Sequence, residues 1–172
     1  MAESPKPTRI IGIDYGMARI GISVSDERKI IAMPLITLKA EKKSENTISS
    51  LLKELEKHER ENRYQVESIV IGLPLLMSGK KGLLADEVHH FVELLKKQIT
   101  IPIVTWDERL TSVQADRSMR ESGMTRKKRA QRSDTVAAVI ILQNYLDFRI
   151  RKEEREEGNS ESDSGPANSI HF

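Results

Sequence analysis

The stretch RIIGIDYGMARIGISVSD, residues 9–26, decides the fold that this sequence predicts. Residues 9–14 form an apolar run that ends in Asp14, and in residues 20–25 apolar side chains alternate with Gly or Ser. Apolar runs and period-two alternation bounded by turn residues are typical of β-strands. Gly16 lies in the short link between them and can supply a tight turn. The sequence therefore predicts two antiparallel strands joined by this turn.

The rest of the chain continues this pattern with a third strand over 29–38, and then alternates helices and strands. The further predicted elements are strands over 68–73 and 101–106, and helices near 46–59, over 83–97, over 111–123 and from an N-cap at Ser133. Single helices between strands imply right-handed crossovers, so the later strands should be parallel. The sequence thus predicts an α/β fold with a five-stranded mixed sheet flanked by helices. Ligands of such sheets bind beyond the C-terminal ends of the parallel strands.

Length and composition are those of one globular domain. The chain has 172 residues, 38% of them hydrophobic and 31% charged, and it contains no cysteine. No apolar run approaches the roughly 18 residues that span a bilayer, so we expect a cytoplasmic protein with no membrane partner. We expect residues 1–8 to be a flexible arm, residues 9–150 to form the domain, and residues 151–172 to be a disordered acidic tail. The tail holds six acidic and three basic residues, which leaves the body basic and compatible with a polyanionic partner.

Carboxylates stand where this topology predicts a site. Asp14 ends the first strand, Asp107 and Glu108 end the fifth, and Asp134 lies on a face of the last helix that otherwise carries Ala and Ile. Each of them alone fits a structural role as well, in a turn or at a helix start. Together they would repel one another unless a cation neutralised them, and oxygen ligands favour Mg²⁺ or Mn²⁺. Two such ions roughly 4 Å apart promote phosphodiester cleavage.

Asp107 and Glu108 are alternatives rather than partners at this site. Adjacent residues of a strand point to opposite faces, so they should not both be primary metal ligands. Asp107 therefore stays open as a possible ligand on the residues alone.

Four segments resemble the YqgF family, also called RuvX, in their order and spacing. They are RIIGIDYGMARIGISVSD, IVIGLPLLMSG, IPIVTWDERLTSVQA and SDTVAAVIILQNYL, and the resemblance covers roughly residues 9–149. It implies an RNase H-like fold with strand order 3-2-1-4-5, and a catalytic, metal-binding triad of Asp14, Glu108 and Asp134. It favours Glu108 over Asp107. It also implies a role in maturing the 5′ end of pre-16S ribosomal RNA, and the family was earlier proposed to resolve Holliday junctions.

Basic residues near these carboxylates are candidates for binding substrate phosphates. They are Arg19, Arg109, Arg126, Lys127, Lys128, Arg129 and Arg132. A basic run is usually a solvated loop, but this one immediately precedes the helix of Asp134. Aromatic residues make up only 4% of the chain, so we expect recognition by backbone charge and shape rather than by base stacking.

Three functions remain open from the sequence. The first is a metal-dependent endonuclease acting on pre-16S rRNA, as a monomer or weak homodimer. The second keeps the chemistry and takes a four-way DNA junction, which requires two paired active sites and hence a dimer. The third is a nucleic-acid-binding regulator without catalysis, which would need neither the metal nor the carboxylates.

Overall fold

The computed structural model describes residues 4–74, 82–107 and 126–161, with the side chains of the last segment described from Thr135 to Gly158. The strands are β1 (Thr8–Tyr15), β2 (Arg19–Ser25), β3 (Ala32–Lys39), β4 (Gln65–Leu73) and β5 (Ile103–Asp107). The helices of this part of the chain are α1 (Ser44–Asn62), α2 (Leu83–Lys96) and α3 (Arg126–Glu161).

The five strands form one mixed sheet in the order β3-β2-β1-β4-β5. The pairs β1–β2 and β2–β3 are antiparallel, whereas β1–β4 and β4–β5 are parallel. The predicted fold class, sheet order and strand directions are therefore confirmed. β1 lies at the centre of the sheet, so its C-terminal end is flanked by β2 on one side and β4 on the other.

Each face of the sheet packs against different helices. One face carries Ile11, Ile13 and Tyr15 of β1, and forms the larger core with apolar residues of α1 and α2. The opposite face carries Ile10 of β1 and packs against Leu142 and other apolar residues of α3. We call this second side the α3 face. Period-two alternation therefore sorts every residue of the central strand between two distinct surroundings.

The third strand begins at Ala32 and not at residue 29 as predicted. The carboxylate of Asp26 accepts hydrogen bonds from the backbone N–H groups of Ile30 and Ile31, at 2.7 and 2.9 Å. Lys29 has a φ of 58°, in the left-handed region. These contacts make residues 26–31 a tight turn, so they cannot pair as strand.

The last helix starts earlier and ends later than predicted. It begins at Arg126, so Ser133 lies inside it and is not its N-cap. The Lys- and Arg-rich run before Ser133 consists of strong helix formers, which extend the helix past this local signal.

The same helix continues to Glu161, so residues 151–161, which we assigned to the tail, are helical in the structure. Ion pairs one turn apart support this extension, Arg149 with Glu153 at 3.6 Å and Lys152 with Glu156 at 3.8 Å. Residues 162–172 and the helix predicted over 111–123 lie outside the described residues. None of the helices in the described part of the chain is long and apolar enough to cross a membrane.

Candidate active site on the α3 face

Asp14 lies on the α3 face of the central strand. It follows Ile10 and Gly12 at period two, and Ile10 packs against α3. Its strand neighbours Ile13 and Tyr15 point into the other core. Asp14 is only partly buried, at the C-terminal end of β1 where the topology predicts a ligand site.

Glycines lie on both sides of Asp14 in the sheet. Its partner on β2 is Gly21. On β4 the last paired residues are Ile13 and Ile71, so the next position beside Asp14 is Gly72. Both glycines are buried, and they place no side chain of their own beside Asp14.

The helix α3 lies unusually close to β1 just below Asp14. A Cβ added to Gly12 would be 2.4 Å from Ser23 Oγ, 2.7 Å from Leu142 Cβ and 3.0 Å from the carbonyl oxygen of Ala138. The Ser23 hydroxyl donates a 2.8 Å hydrogen bond to that same carbonyl. Only a glycine fits between the strand and the helix at this position.

The start of the described part of α3 is fixed near the row of Asp14. Thr135 Oγ1 and Thr37 Oγ1 are 2.7 Å apart and hydrogen-bonded. Thr37 pairs with Gly21, which in turn pairs with Asp14. The backbone of Asp134 is part of α3, one residue before Thr135 and one helical turn before Ala138. The backbone of Asp134 thus belongs to the turn of α3 that lies over this row.

The fifth strand separates the two acidic candidates at its end. Val104 and Trp106 belong to the core against α3, whereas Ile103 packs against the opposite core. Asp107 has the register of Ile103 and pairs with Leu73, which also packs in that opposite core. Asp107 therefore lies on the strand face opposite to Asp14. Glu108 and Arg109 lie outside the described residues.

The hydroxyl of Tyr15, next to Asp14 in sequence, stays protonated. Burial raises the pKa of Tyr15, Glu87 raises it further, and a hydrogen bond with Ser44 only partly offsets this. Its ring packs on that of Phe91 with centroids 4.9 Å apart. Tyr15 is thus a neutral group of the α1–α2 core and does not serve as a base at this site.

Of the predicted phosphate-binding residues, Arg19 is the one whose side chain the structure describes. It opens β2 on the α3 face and pairs with Lys39 of β3. Five others occupy the first two turns of α3, where only the backbone is described: Arg126, Lys127, Lys128, Arg129 and Arg132. They are helical rather than part of the loop that the sequence suggested.

A cluster of three or more His, Asp or Glu side chains able to hold a metal is not found where side chains are described. Of the predicted triad, only Asp14 belongs to that part of the chain. Gly21, Gly72 and the Thr37–Thr135 contact were not predicted as features of the site. The alternation of β2 held a signal for Gly21, since it places Gly and Ser on the face opposite to Ile20 and Ile22.

The sheet order and the carboxylate at the end of its central strand define an RNase H-like domain. A family model described as RuvX, Holliday junction resolvase, matches residues 8–148. A relative from Protochlamydia amoebophila is 60% identical over 149 residues, covering 87% of this chain and 99% of the relative. One from Clostridium acetobutylicum is 42% identical over 138 residues, covering 80% and 97%. Both are named "Putative pre-16S rRNA nuclease".

This chain belongs to the RuvX family. Among solved structures, a Thermus thermophilus RuvC in complex with Holliday junction substrate matches with a TM-score of 0.49 and 14% identity. The match covers 83% of this chain and 96% of that one.

Proposed function

We propose that this protein is a divalent-metal-dependent endonuclease that hydrolyses a phosphodiester bond in maturing the 5′ end of pre-16S rRNA. The observation that carries this proposal is the placement of Asp14. It lies at the C-terminal end of the central strand, has glycines on both sides, and faces α3. The proposed substrate is taken from the names of the relatives, and the proposed reaction is inferred from the carboxylate residues.

The catalytic and metal-binding residues in this proposal are Asp14, Glu108 and Asp134. Support for Asp134 comes from the Thr37–Thr135 hydrogen bond, which holds the adjacent helix turn over the row of Asp14. Support for Glu108 over Asp107 comes from β5, in which Asp107 follows the face of Ile103. The next residue of the sequence would carry its side chain to the α3 face if the alternation continued.

The residues fit Mg²⁺ or Mn²⁺. Carboxylate oxygens are the hard donors that these ions prefer, and the glycines paired beside Asp14 add no side chain of their own there. When bound, such an ion lowers the pKa of water and stabilises charge on the leaving oxygen. The protein's own part in this proposal would be to position the three carboxylates so that a water and the scissile phosphate meet in line.

The phosphate contacts in this proposal come from Arg19, Arg109 and the basic first turns of α3. Arg19 supports this proposal because it lies on the α3 face, two residues before Gly21, which is the β2 partner of Asp14. The N-terminal turns of a helix also attract anions through the unpaired N–H groups and the helix dipole. These groups would bind the phosphodiester backbone without reading sequence.

The test is cleavage of an RNA that spans the 5′ end of immature 16S rRNA, with Mg²⁺ or Mn²⁺ and with a chelator. We expect cleavage by the parent only with metal, and its loss by at least about 100-fold in Asp14→Asn because the metal ligand is weakened. Asp86→Asn is the matched control, because Asp86 is exposed on α2 on the other side of the sheet. Equal cleavage by the parent and Asp14→Asn would contradict the proposal, as would activity in the chelator.

A four-way DNA junction should be tested beside the RNA, because the matching family model is described as a Holliday junction resolvase. A resolvase cuts two strands and needs two copies of this site, so it must be dimeric when active. Paired cuts in the junction by a dimer, with no cleavage of the RNA, would favour that function. A third outcome, RNA binding that depends on neither metal nor Asp14, would favour a non-catalytic regulator.

A further inference from the structure

A basic surface lies beside the β1–β2 turn and has no role in the function proposed above. It is an open depression of about 600 Å³ between the end of β3 and the start of α1. The residues that line it are Lys39, Ala40, Glu41, Lys42, Lys43 and Asn46. We call Lys39, Lys42 and Lys43 the lysine surface. All three side chains are exposed, and none has an ion-pair partner among the described residues.

The lysine surface is continuous with the site of Asp14. Lys39 pairs with Arg19 across β2 and β3, and Thr37 of the same β3 face contacts Thr135 of α3. Lys39 therefore lies on the α3 face, two strands from Asp14 and two residues further along. From strand spacing and rise, the backbone distance between Lys39 and Asp14 is roughly 12 Å.

Two hydrogen bonds fix the loop that carries the other lysines. The backbone N–H of Ala40 donates to the carbonyl of Ala18 in the β1–β2 turn, at 2.9 Å. The backbone N–H of Glu41 donates to Thr47 Oγ1 in α1, also at 2.9 Å. The loop is thus attached to the turn after Asp14 and to the first turns of α1. The loop backbone therefore keeps a defined position relative to the site.

Charge and exposure indicate the kind of ligand that this surface takes. Three ammonium groups line the depression against one carboxylate, that of Glu41. Exposed lysines that have no carboxylate partners and lie close together form a surface that binds the phosphate backbone of a nucleic acid. Few apolar side chains border it, so neither an apolar peptide nor a stacked base is the expected occupant.

We propose that the lysine surface binds the backbone of the RNA strand a few nucleotides to one side of the cleaved bond. The inference rests on the nuclease function proposed above and extends the substrate path from Asp14 across β2 and β3. At a stacked rise of about 3.4 Å per nucleotide, roughly four nucleotides separate the two points. The strand would cross the β1–β2 turn on its way.

The experiment measures RNA binding separately from cleavage. In the Asp14→Asn background, the affinity for the RNA spanning the 5′ end of 16S rRNA is measured by fluorescence anisotropy over a range of salt. One variant combines Lys39→Gln, Lys42→Gln and Lys43→Gln. Its control removes the same charge from exposed positions further along α1, by combining Lys53→Gln, Lys57→Gln and Arg60→Gln.

We expect the lysine variant to bind RNA more weakly by a factor of about ten or more. The slope of log affinity against log salt concentration should become shallower by about two. The control should keep the slope and affinity of the background protein. The RNA is then shortened stepwise from each end. On one side only, once fewer than about four nucleotides remain beyond the cut, the lysine variant and its background should bind the RNA with equal affinity. Both triple variants should melt at the temperature of the background, because all the replaced side chains are exposed.

The results separate this inference from the function on which it rests. If the lysine variant binds RNA with the affinity and slope of the control, the inference is wrong even though the parent cleaves. If binding depends on the lysines but the parent cleaves nothing with metal, the lysine surface binds RNA, whereas the nuclease proposal fails and with it the position of the strand relative to a cleaved bond. Preferential loss of DNA junction binding, with RNA binding unchanged, would also overturn the inference.

Discussion

The hydroxyl of Ser23 donates a hydrogen bond to the backbone carbonyl of Ala138, and the 2.8 Å bond joins the second strand of the sheet to the helix above it. Both residues are fully buried, and Gly12 lies beside the hydrogen bond that joins them. The contact fixes the height of α3 over the central strand. Since Asp134 is one turn before Ala138, the same contact fixes the height of the helix turn that carries the backbone of Asp134.

Gly12→Ala tests this close approach. The added methyl group would stand under 3 Å from both Ser23 Oγ and Leu142 Cβ, so the helix or the strand must move. We expect a loss of about 1–3 kcal/mol in the free energy of unfolding, measured by urea denaturation, and reduced cleavage because the carboxylates separate. Gly158→Ala is the control, since nothing lies within 4 Å of its Cβ and alanine favours the helix. An unchanged stability of Gly12→Ala would contradict the packing described.

Ser23→Ala removes the hydrogen bond but leaves the space. The helix that carries the Ala138 carbonyl stays intact, so only this one hydrogen bond is lost. We therefore expect the free energy of unfolding to fall by about 1 kcal/mol. Ser49→Ala, at an exposed position of α1, should cost nothing measurable. Denaturation curves of the two variants, recorded side by side, check this; equal midpoints would show that the buried bond contributes no net stability.

Thr135→Val tests the anchor beside Asp134. Valine keeps the shape of threonine but cannot bond to Thr37 Oγ1, which lies 2.7 Å away in the folded protein. We expect kcat for RNA cleavage to fall by about tenfold while KM stays near that of the parent, because the carboxylate is misplaced and the phosphate contacts are kept. Thr105→Val, at an exposed position of β5, should cleave normally. A change in KM alone would mean that the anchor affects binding instead.

Glu67 should make stability depend on acid pH. Burial acts to raise its pKa, but hydrogen bonds from Lys29, Thr8 and Arg149 outweigh it and lower the pKa below the usual 4.5. A lowered pKa means that the stabilisation is present above about 4.5 and is lost as the pH falls through the lower folded value.

We therefore expect Glu67→Gln to lower Tm at pH 7 and to differ less from the parent as the pH is brought below 4.5. Glu93→Gln is the comparison, because Glu93 forms only an exposed pair with Lys96. Thermal melts across this pH range decide the matter. A Tm difference at Glu67 that stays constant down to pH 3 would show that the charge of this carboxylate is not what links β4 to the turn and to α3.

The sequence predicted the sheet well because the central strands are sorted by simple alternation. Ile11 and Ile13 on one side, and Ile10 with Gly12 on the other, leave one register that buries both faces. The placement of Asp14 followed from this. At the end of β5, alternation indicated only that Asp107 and Glu108 should not both be ligands, and the family resemblance favoured Glu108. The structure adds that Asp107 shares the face of Leu73.

The helix α3 was the element that local signals described least well. Ser133 has the side chain of an N-cap, yet it lies inside a helix that starts at Arg126. Capping is worth about 1 kcal/mol, and a run of strong helix formers on either side outweighs it. The Thr37–Thr135 contact joins residues 98 positions apart, so no window of the sequence could reveal it.

The long helix α3 sets a defined distance between the proposed site and an exposed position near its C-terminal end. At about 1.5 Å per residue, the 24 residue steps from Asp134 to Gly158 span about 36 Å. The sequence has no cysteine, so Gly158→Cys would create a single thiol at a position with nothing within 4 Å. A dye attached there would lie about that distance along α3 from the backbone of Asp134. Energy transfer to a dye on each end of a bound RNA would then show in which direction the strand runs across the sheet.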